Sequence, residues 1–291
     1  MFGTESDVWV GRQYGPYQIT ELLGRGTVAH VYRAETRVGE VGLKVLTPSE
    51  ARRLVLLGSG IREDQVRKLE AFRKSADCTL KKAMDPSVTH LVVNHDSELL
   101  AERTLKFLQA VALGKFVVGI AWVTKCLEDG VVYDPATFEV RDQDGDPGPE
   151  RGRTAKMRAH GKLKRTALLF SRFQFYLHGD FQAIHRNHMK KLLEDCGGVV
   201  VRSESAMSFS SGITPLIIVD KEEIKNEDEC LMLFCKTDVA VVDKDWMIDC
   251  IGRYTVTPIY STVHTHLQHE ASVEKLKEVG YGNEIIFGSD A

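Results

Sequence analysis

Between Glu102 and Gly130 the apolar positions change period twice. Leu105, Leu108, Ala112 and Leu113 recur at helical spacing, and Gly114 supplies a left-handed end for that helix. Phe116 to Ile120 is a short apolar run with β-branched residues, the pattern of a strand buried on both faces. A second amphipathic helix follows at once, with Trp122, Val123 and Leu127 on one side, Lys125 and Glu128 on the other, and Gly130 at its end. The same order returns about a hundred residues later: Val239 to Val242 reads as a buried strand and Asp245 to Ile251 as a helix with Trp246 near its start. This is an internal repeat.

The flanking pattern completes each repeat. In the first, Leu54 to Leu57 is a buried-type strand running into Gly58-Ser59-Gly60. A helix follows over Glu63 to Ser75, with Val66, Leu69 and Phe72 as its apolar stripe, then strands at Cys78 to Leu80 and Thr89 to Val93. In the second, Phe173 to Leu177, Val199 to Val201 and Pro215 to Val219 are strands, and Asn187 to Cys196 and Glu227 to Lys236 are helices. The order β-α-β-β-α-β-α predicts an α/β fold, each repeat a small four-stranded parallel sheet flanked by helices, the two packed side by side. The boundaries drawn from the pattern are an extension at 1–53, repeats at 54–141 and 167–263, a linker at 142–166 and a tail at 264–291.

Three stretches fall outside the repeats. Residues 1–53 are β-rich and resemble the opening strands of a protein kinase: Gly24, Gly26 and Val31 match its Gly-rich loop and Lys44 its strand lysine. The HRD and DFG segments of that template do not follow, so kinase chemistry is not expected, and three strands alone should pack poorly. The linker carries Pro, Gly and charge without an apolar period, which predicts a solvated connection. Its basic second half offers at most a weak nucleic-acid contact or an import signal, and a solvated charge run is the plainer reading. In the tail, His264, His266 and His269 lack partnering acids or cysteines at ligand spacing, so no metal site is expected. Glu274 to Val279 reads as a helix ended by Gly280. The closing GNEIIFGSDA resembles a late amidohydrolase strand with Asp290 as ligand, but no eight-unit barrel accompanies it, and the tail reads as loosely attached.

Composition narrows the class without choosing a function. The 291 residues carry a net charge of −3, which gives no global pull toward nucleic acid or membrane. No uncharged apolar run is long enough to span a bilayer, and acidic residues stand where a signal sequence would begin. The six cysteines form no CxxC pair and sit mostly in apolar contexts, as core thiols in a reducing compartment do.

The chemistry concentrates in the first repeat. A strand that ends in Ser59-Gly60 and turns into a helix offers a hydroxyl and backbone N–H groups to an anion. Arg103, Thr104 and Lys106 open the second helix, where cations oppose the helix dipole unless an anion lies between them. That favours a phosphate site at Ser59, Gly60 and Lys106. Solvated helix charges are the competing reading, since exposed Lys on helices is commonplace. The second repeat has Gly179-Asp180 at the matching place, and a carboxylate there repels phosphate.

The motifs ERTLKFL, GKFVVGIAWVTKCLEDG, FEVR, CGGVVV, SSGITPLIIVD and DKDWMIDCI together resemble tandem BRCT domains, over about residues 54 to 263. The resemblance implies a non-enzymatic reader of phosphoserine peptides in the nucleus, acting in the response to DNA damage, with no cofactor and no catalytic residue. It assigns the phosphate to Ser59, Gly60 and Lys106, with Thr104 lining the pocket. A second anchor would read an aromatic residue three positions after the phosphoserine, as in a pSer-x-x-Phe motif, using the backbone of Arg103 and apolar walls from Leu108, Ile184 and Ile248. Three positions depart from the family pattern: Leu108 stands for a Phe, Ala183 for an Asn and Ile184 for a Met. The first repeat also has Ser75-Ala76-Asp77 in place of a Gly-Gly turn. A BRCT pair that binds DNA or protein without phosphate recognition is the alternative.

Overall fold

Two parallel sheets carry the architecture of the computed structural model, which describes residues 10–14, 17–160, 168–207, 209–210, 212–224, 227–260 and 270–288. The chain divides into two units: Met1–Lys106 with Lys115–Asp144, and Phe107–Gly114 with Gly145–Ala291.

The first unit opens with an antiparallel meander of β1 (Gln13–Tyr14), β2 (Tyr17–Arg25), β3 (Ala29–Thr36) and β4 (Gly39–Leu46), paired in that order. After α1 (Pro48–Arg52), capped by the Thr47 hydroxyl, come β5 (Val55–Ser59), α2 (Glu63–Ala76), β6 (Thr79–Lys81) and β7 (His90–Val93). Next are β8 (Leu100–Ala101), α3 (Leu105–Ala112), β9 (Phe116–Gly119), α4 (Ile120–Asp129) and β10 (Arg141–Asp142). The sheet order is β6-β5-β7-β9, all pairs parallel, as the strand–helix alternation predicts. Gly114 and Gly130 both adopt left-handed φ where the pattern ends a helix.

The meander is not poorly packed. Ile19, Tyr32, Ala34, Leu43 and Val45 join one core with Phe72, Val118 and Trp122 of the repeat. An isolated meander has too little apolar surface to bury, but here the repeat supplies the second layer. Backbone bonds seal the junction: Leu46 N–H donates to Val132 O at 2.8 Å and Asp134 N–H to Lys44 O at 3.1 Å.

The second unit contains α5 (Gly148–His160), β11 (Phe173–Leu177), α6 (Arg186–Asp195), β12 (Val199–Val201), β13 (Thr214–Val219) and α7 (Glu227–Thr237). It continues through β14 (Val241–Asp243), α8 (Lys244–Arg253), α9 (Glu270–Glu278) and α10 (Asn283–Ile286). Its sheet, β12-β11-β13-β14, repeats the parallel order of the first. Each repeat closes with the same local device. Trp122 Nε1 donates to Tyr133 O at 3.0 Å and Trp246 Nε1 to Thr257 O at 2.9 Å, both eleven residues on. The Cys126 and Cys250 thiols accept the same loops' N–H groups, and burial pushes each thiol up to about 12.

Two expectations need correction. Much of the stretch read as a solvated linker is helix α5, and its buried face is made of small residues. A Cβ at Gly152 would lie 2.4 Å from Val111 O, and one at Gly148 only 1.7 Å from Gly252 O, so α5 approaches α3 and α8 closely because it lacks side chains there. Nor is the tail loosely attached. Leu276, Tyr281 and Ile286 are buried, the Tyr281 hydroxyl donates to Pro215 O at 2.6 Å, and it accepts the Ala240 N–H at 3.0 Å. The segment compared with an amidohydrolase strand forms the short helix α10, while His264, His266, His269 and Asp290 lie outside the described residues.

Candidate functional site

At the C-terminal end of β5 the chain turns at Gly60, whose φ of +62° is open to glycine at no steric cost. The Ser59 hydroxyl lies 2.9 Å from that of Thr104, on the segment leading into α3. The two hydroxyls share the wall of a cavity of about 390 Å³, with Gly60, Asn94, His95 and Gln143 also facing it. Lys106 reaches back over the same strand end, its Nζ donating to Gly58 O at 3.1 Å. Ser59, Gly60, Thr104 and Lys106 thus converge on one strand terminus.

Buried polar contacts hold this wall. Arg103 is 5% exposed in its side chain and Asp142 is fully buried. Arg103 Nη2 donates to Asp142 Oδ2 at 2.5 Å and to Asp144 Oδ2 at 2.6 Å, and its Nε donates to Asp142 at 3.1 Å. Asp142 is carried by β10, which pairs with β8 in parallel and so ties the segment before Thr104 to the chain 41 residues later. Arg103 is therefore neither a solvated charge nor a free cation: two carboxylates neutralise it. At the start of α2, Gln65 accepts the Arg62 N–H at 2.8 Å. It also donates to Asn94 Oδ1 at 2.9 Å, coupling the helix start to the β7 loop.

That loop is tightly folded. Asp96 Oδ1 accepts the N–H groups of Glu98 and Leu100 at 2.8 and 2.9 Å, and Leu99 sits at a φ of +62°. His95 Nδ1 lies 2.6 Å from Asp96 O, and the ring occupies the space a Cβ on Gly119 would need. Asn94, His95, Gln143, Gln65 and Asp142 went unread in the sequence. The signals available were the Asx-type residues after β7 and the Asp-rich run after β10, neither of which carries a period.

The residues expected to form the second anchor are less open. Leu108 is fully buried, and Ile184 and Ile248 are half-buried. At the matching place in the second repeat, Arg186 donates to Leu177 O and Gly179 O, both at 2.7 Å, so the strand end is filled by the protein's own guanidinium. Among the described residues no cluster of ligating side chains could hold a metal ion, and no helix is long and apolar enough to cross a membrane.

Residues 53–127 match the family profile described as "BRCA1 C Terminus (BRCT) domain", and residues 168–261 match a second profile described as "BRCT domain". The mouse breast cancer type 1 susceptibility protein homolog is 25% identical over 212 residues, 72% of this chain and 11% of its own length. The Arabidopsis thaliana BRCA1-associated RING domain protein 1 is 29% identical over 235 residues, 73% of this chain and 32% of its own. The chain thus spans no more than about a third of these relatives. Among solved structures, the S. pombe Brc1 BRCT5-BRCT6 domains align with a TM-score of 0.42 at 19% identity, covering 70% of this chain and 94% of theirs.

Proposed function

The chain carries two BRCT domains in tandem, and from that premise we propose that it is a phosphoserine-peptide reader whose phosphate site is Ser59, Gly60, Thr104 and Lys106. The observation that carries this reading is the convergence of a hydroxyl pair, a left-handed glycine and a lysine amine on one strand end that opens into a cavity. A phosphoserine brings a charge of roughly −1.5 to −2 and three strong acceptors. The Ser59 hydroxyl and Gly60 N–H donate to it, and Lys106 exchanges its bond to Gly58 O for a charge-assisted one. Hydroxyls already 2.9 Å apart and a backbone already turned need little reordering.

Specificity requires a second anchor. We assign it to the half-buried side chains of Ile184 and Ile248, rather than to the fully buried Leu108, with the Arg103 backbone along the peptide, and a pSer-x-x-Phe-like motif as the ligand class. On the same premise the module belongs to the DNA-damage response, in the nucleus, as a non-catalytic scaffold that binds phosphorylated proteins.

Calorimetry with a pSer-x-x-Phe peptide and its unphosphorylated twin tests the proposal. The wild type should bind only the phosphorylated form, and Lys106→Met should weaken it by about thirtyfold, roughly 2 kcal/mol. Equal affinity for both peptides would overturn it and leave constitutive protein or DNA binding.

A further inference from the structure

The N-terminal meander ends in an open strand edge beside a large groove. We propose that this edge takes up an extended peptide of a partner protein as an additional strand, the peptide apolar at its centre and basic beside it.

The edge is half used already. Lys44 O accepts from Asp134 N–H and Leu46 N–H donates to Val132 O, so the even-numbered residues of β4 turn their backbone groups away from β3. By the period of two, Glu40 and Gly42 do the same, and among the described residues no strand lies beyond them. Residues 39–42 are exposed, and a Cβ on Gly42 would meet nothing within 4 Å. Exposed strand edges are usually blunted by proline, lysine or a bulge; the register of β3 with β4 runs unbroken over eight pairs and the outer positions are Glu40 and Gly42. The chain's own Val132–Asp134 segment shows how a strand sits on the inner half of this edge, and the outer half continues that same line.

Beneath the open half lies a groove of about 640 Å³ between β4 and α4, within the size range of ligand pockets. Tyr17, Val41, Leu43, Tyr133 and Phe138 give it an apolar floor, on which alternate side chains of an added strand would rest. Charge completes the description. Lys44 is neutralised by Asp134 at 2.5 Å and Lys125 by Asp129 at 2.7 Å, and among the described residues no cation pairs with the exposed Glu128 on the rim. Farther along, Glu40 of β4 meets the guanidinium of Arg33 on β3, which Glu21 of β2 shares. Among the described residues of β4 and the groove wall, Glu40, Glu128 and Asp134 outnumber Lys44 and Lys125, so the occupant carries Lys or Arg. The site lies apart from the phosphate cavity and does not depend on its assignment.

Selection of a phage-displayed library of random nonapeptides on the full chain tests this, followed by titration of the selected peptide. Enrichment of sequences with large apolar residues at alternate positions and flanking Lys or Arg is expected. Gly42→Pro removes one outward N–H without touching the β3 ladder and should weaken binding at least tenfold at unchanged melting temperature, as Pro is tolerated at a strand edge. Should that variant misfold, Glu128→Lys and Ala121→Trp give the readout, the first weakening basic peptides and the second filling the groove. Enrichment of no such class, or binding indifferent to these variants, overturns the proposal. So does a concentration-dependent dimer that Gly42→Pro dissolves, because the edge would then belong to a second copy of the chain. Phosphopeptide affinity should be unchanged in all three variants.

Discussion

Removing the Asp142 carboxylate should loosen the whole first unit, because it leaves a guanidinium buried. Arg103 is 5% exposed and donates to Asp142 through both Nε and Nη2, and Asp142 is itself fully buried. Breaking a buried pair by deleting one partner costs about 3–5 kcal/mol, most of it the stranded charge. Asp144 remains at 2.6 Å but is 41% exposed, so its help is that of a half-solvated pair, about 1 kcal/mol or less. The balance for Asp142→Ala is a loss of about 3 kcal/mol. Replacing both partners, Arg103→Met with Asp142→Leu, removes the stranded charge and should cost only about 1 kcal/mol, since apolar substitutes of similar volume are often near neutral. The two variants differ most clearly in native-state hydrogen exchange of the β5 and β7 amides, which reports opening of this unit alone. Asp142→Ala should accelerate exchange by about a hundredfold, and the double variant by less than about tenfold. A single variant no faster than the double would refute the reasoning, since it would mean the guanidinium finds water or another partner at little cost. Phosphopeptide affinity should fall with Asp142→Ala too, because Thr104 follows the anchored residue.

Other expectations follow from contacts in the same structure. Tyr281→Phe leaves the buried Pro215 carbonyl and Ala240 N–H without their partner and should cost about 3 kcal/mol by urea denaturation of the second unit. Gly152→Ala forces a methyl against Val111 O and should destabilise by about 2 kcal/mol or more, whereas the same change at Gly145, open on all sides but left-handed, should cost about 1 kcal/mol. Burial holds the Tyr133 and Tyr281 phenols above the usual tyrosine range; their contribution is complete below about pH 10 and is lost as pH rises further, so alkaline unfolding should begin there, with ultraviolet titration showing both rings un-ionised until it does. The Lys81 amine, with Ser87, lowers the Asp85 carboxyl to about 2; stability from this group is present above the ordinary carboxylate pKa and lost as pH falls toward 2, and carbon-detected NMR should show that midpoint move up in Lys81→Met.

Local signals in the chain were enough for the two sheets. Periods of two and 3.6 residues, a glycine ending α3 and α4 and a tryptophan repeated at the head of α4 and α8 settle which segments are strands, which are helices and that the unit occurs twice. Ser59-Gly60 was legible for the same reason, being a strand end defined by its neighbours, and Lys106 was visible as a cation at the wrong end of a helix. What only the tertiary structure decided is every feature whose partner is distant in sequence. Helix α5 hides its packing face in Gly148, Pro149 and Gly152, which a search for apolar stripes passes over because the buried surface is backbone. The role of Arg103 depends on Asp142, 39 residues away, and that of Tyr281 on Pro215, 66 residues away. The N-terminal meander had no core in its own pattern and gains one only by lying against Trp122 and Phe72. Periodicity reports how a segment satisfies its own backbone; it carries no information on which buried charge or apolar face another segment will bring to it, and that is settled by the folded chain as a whole.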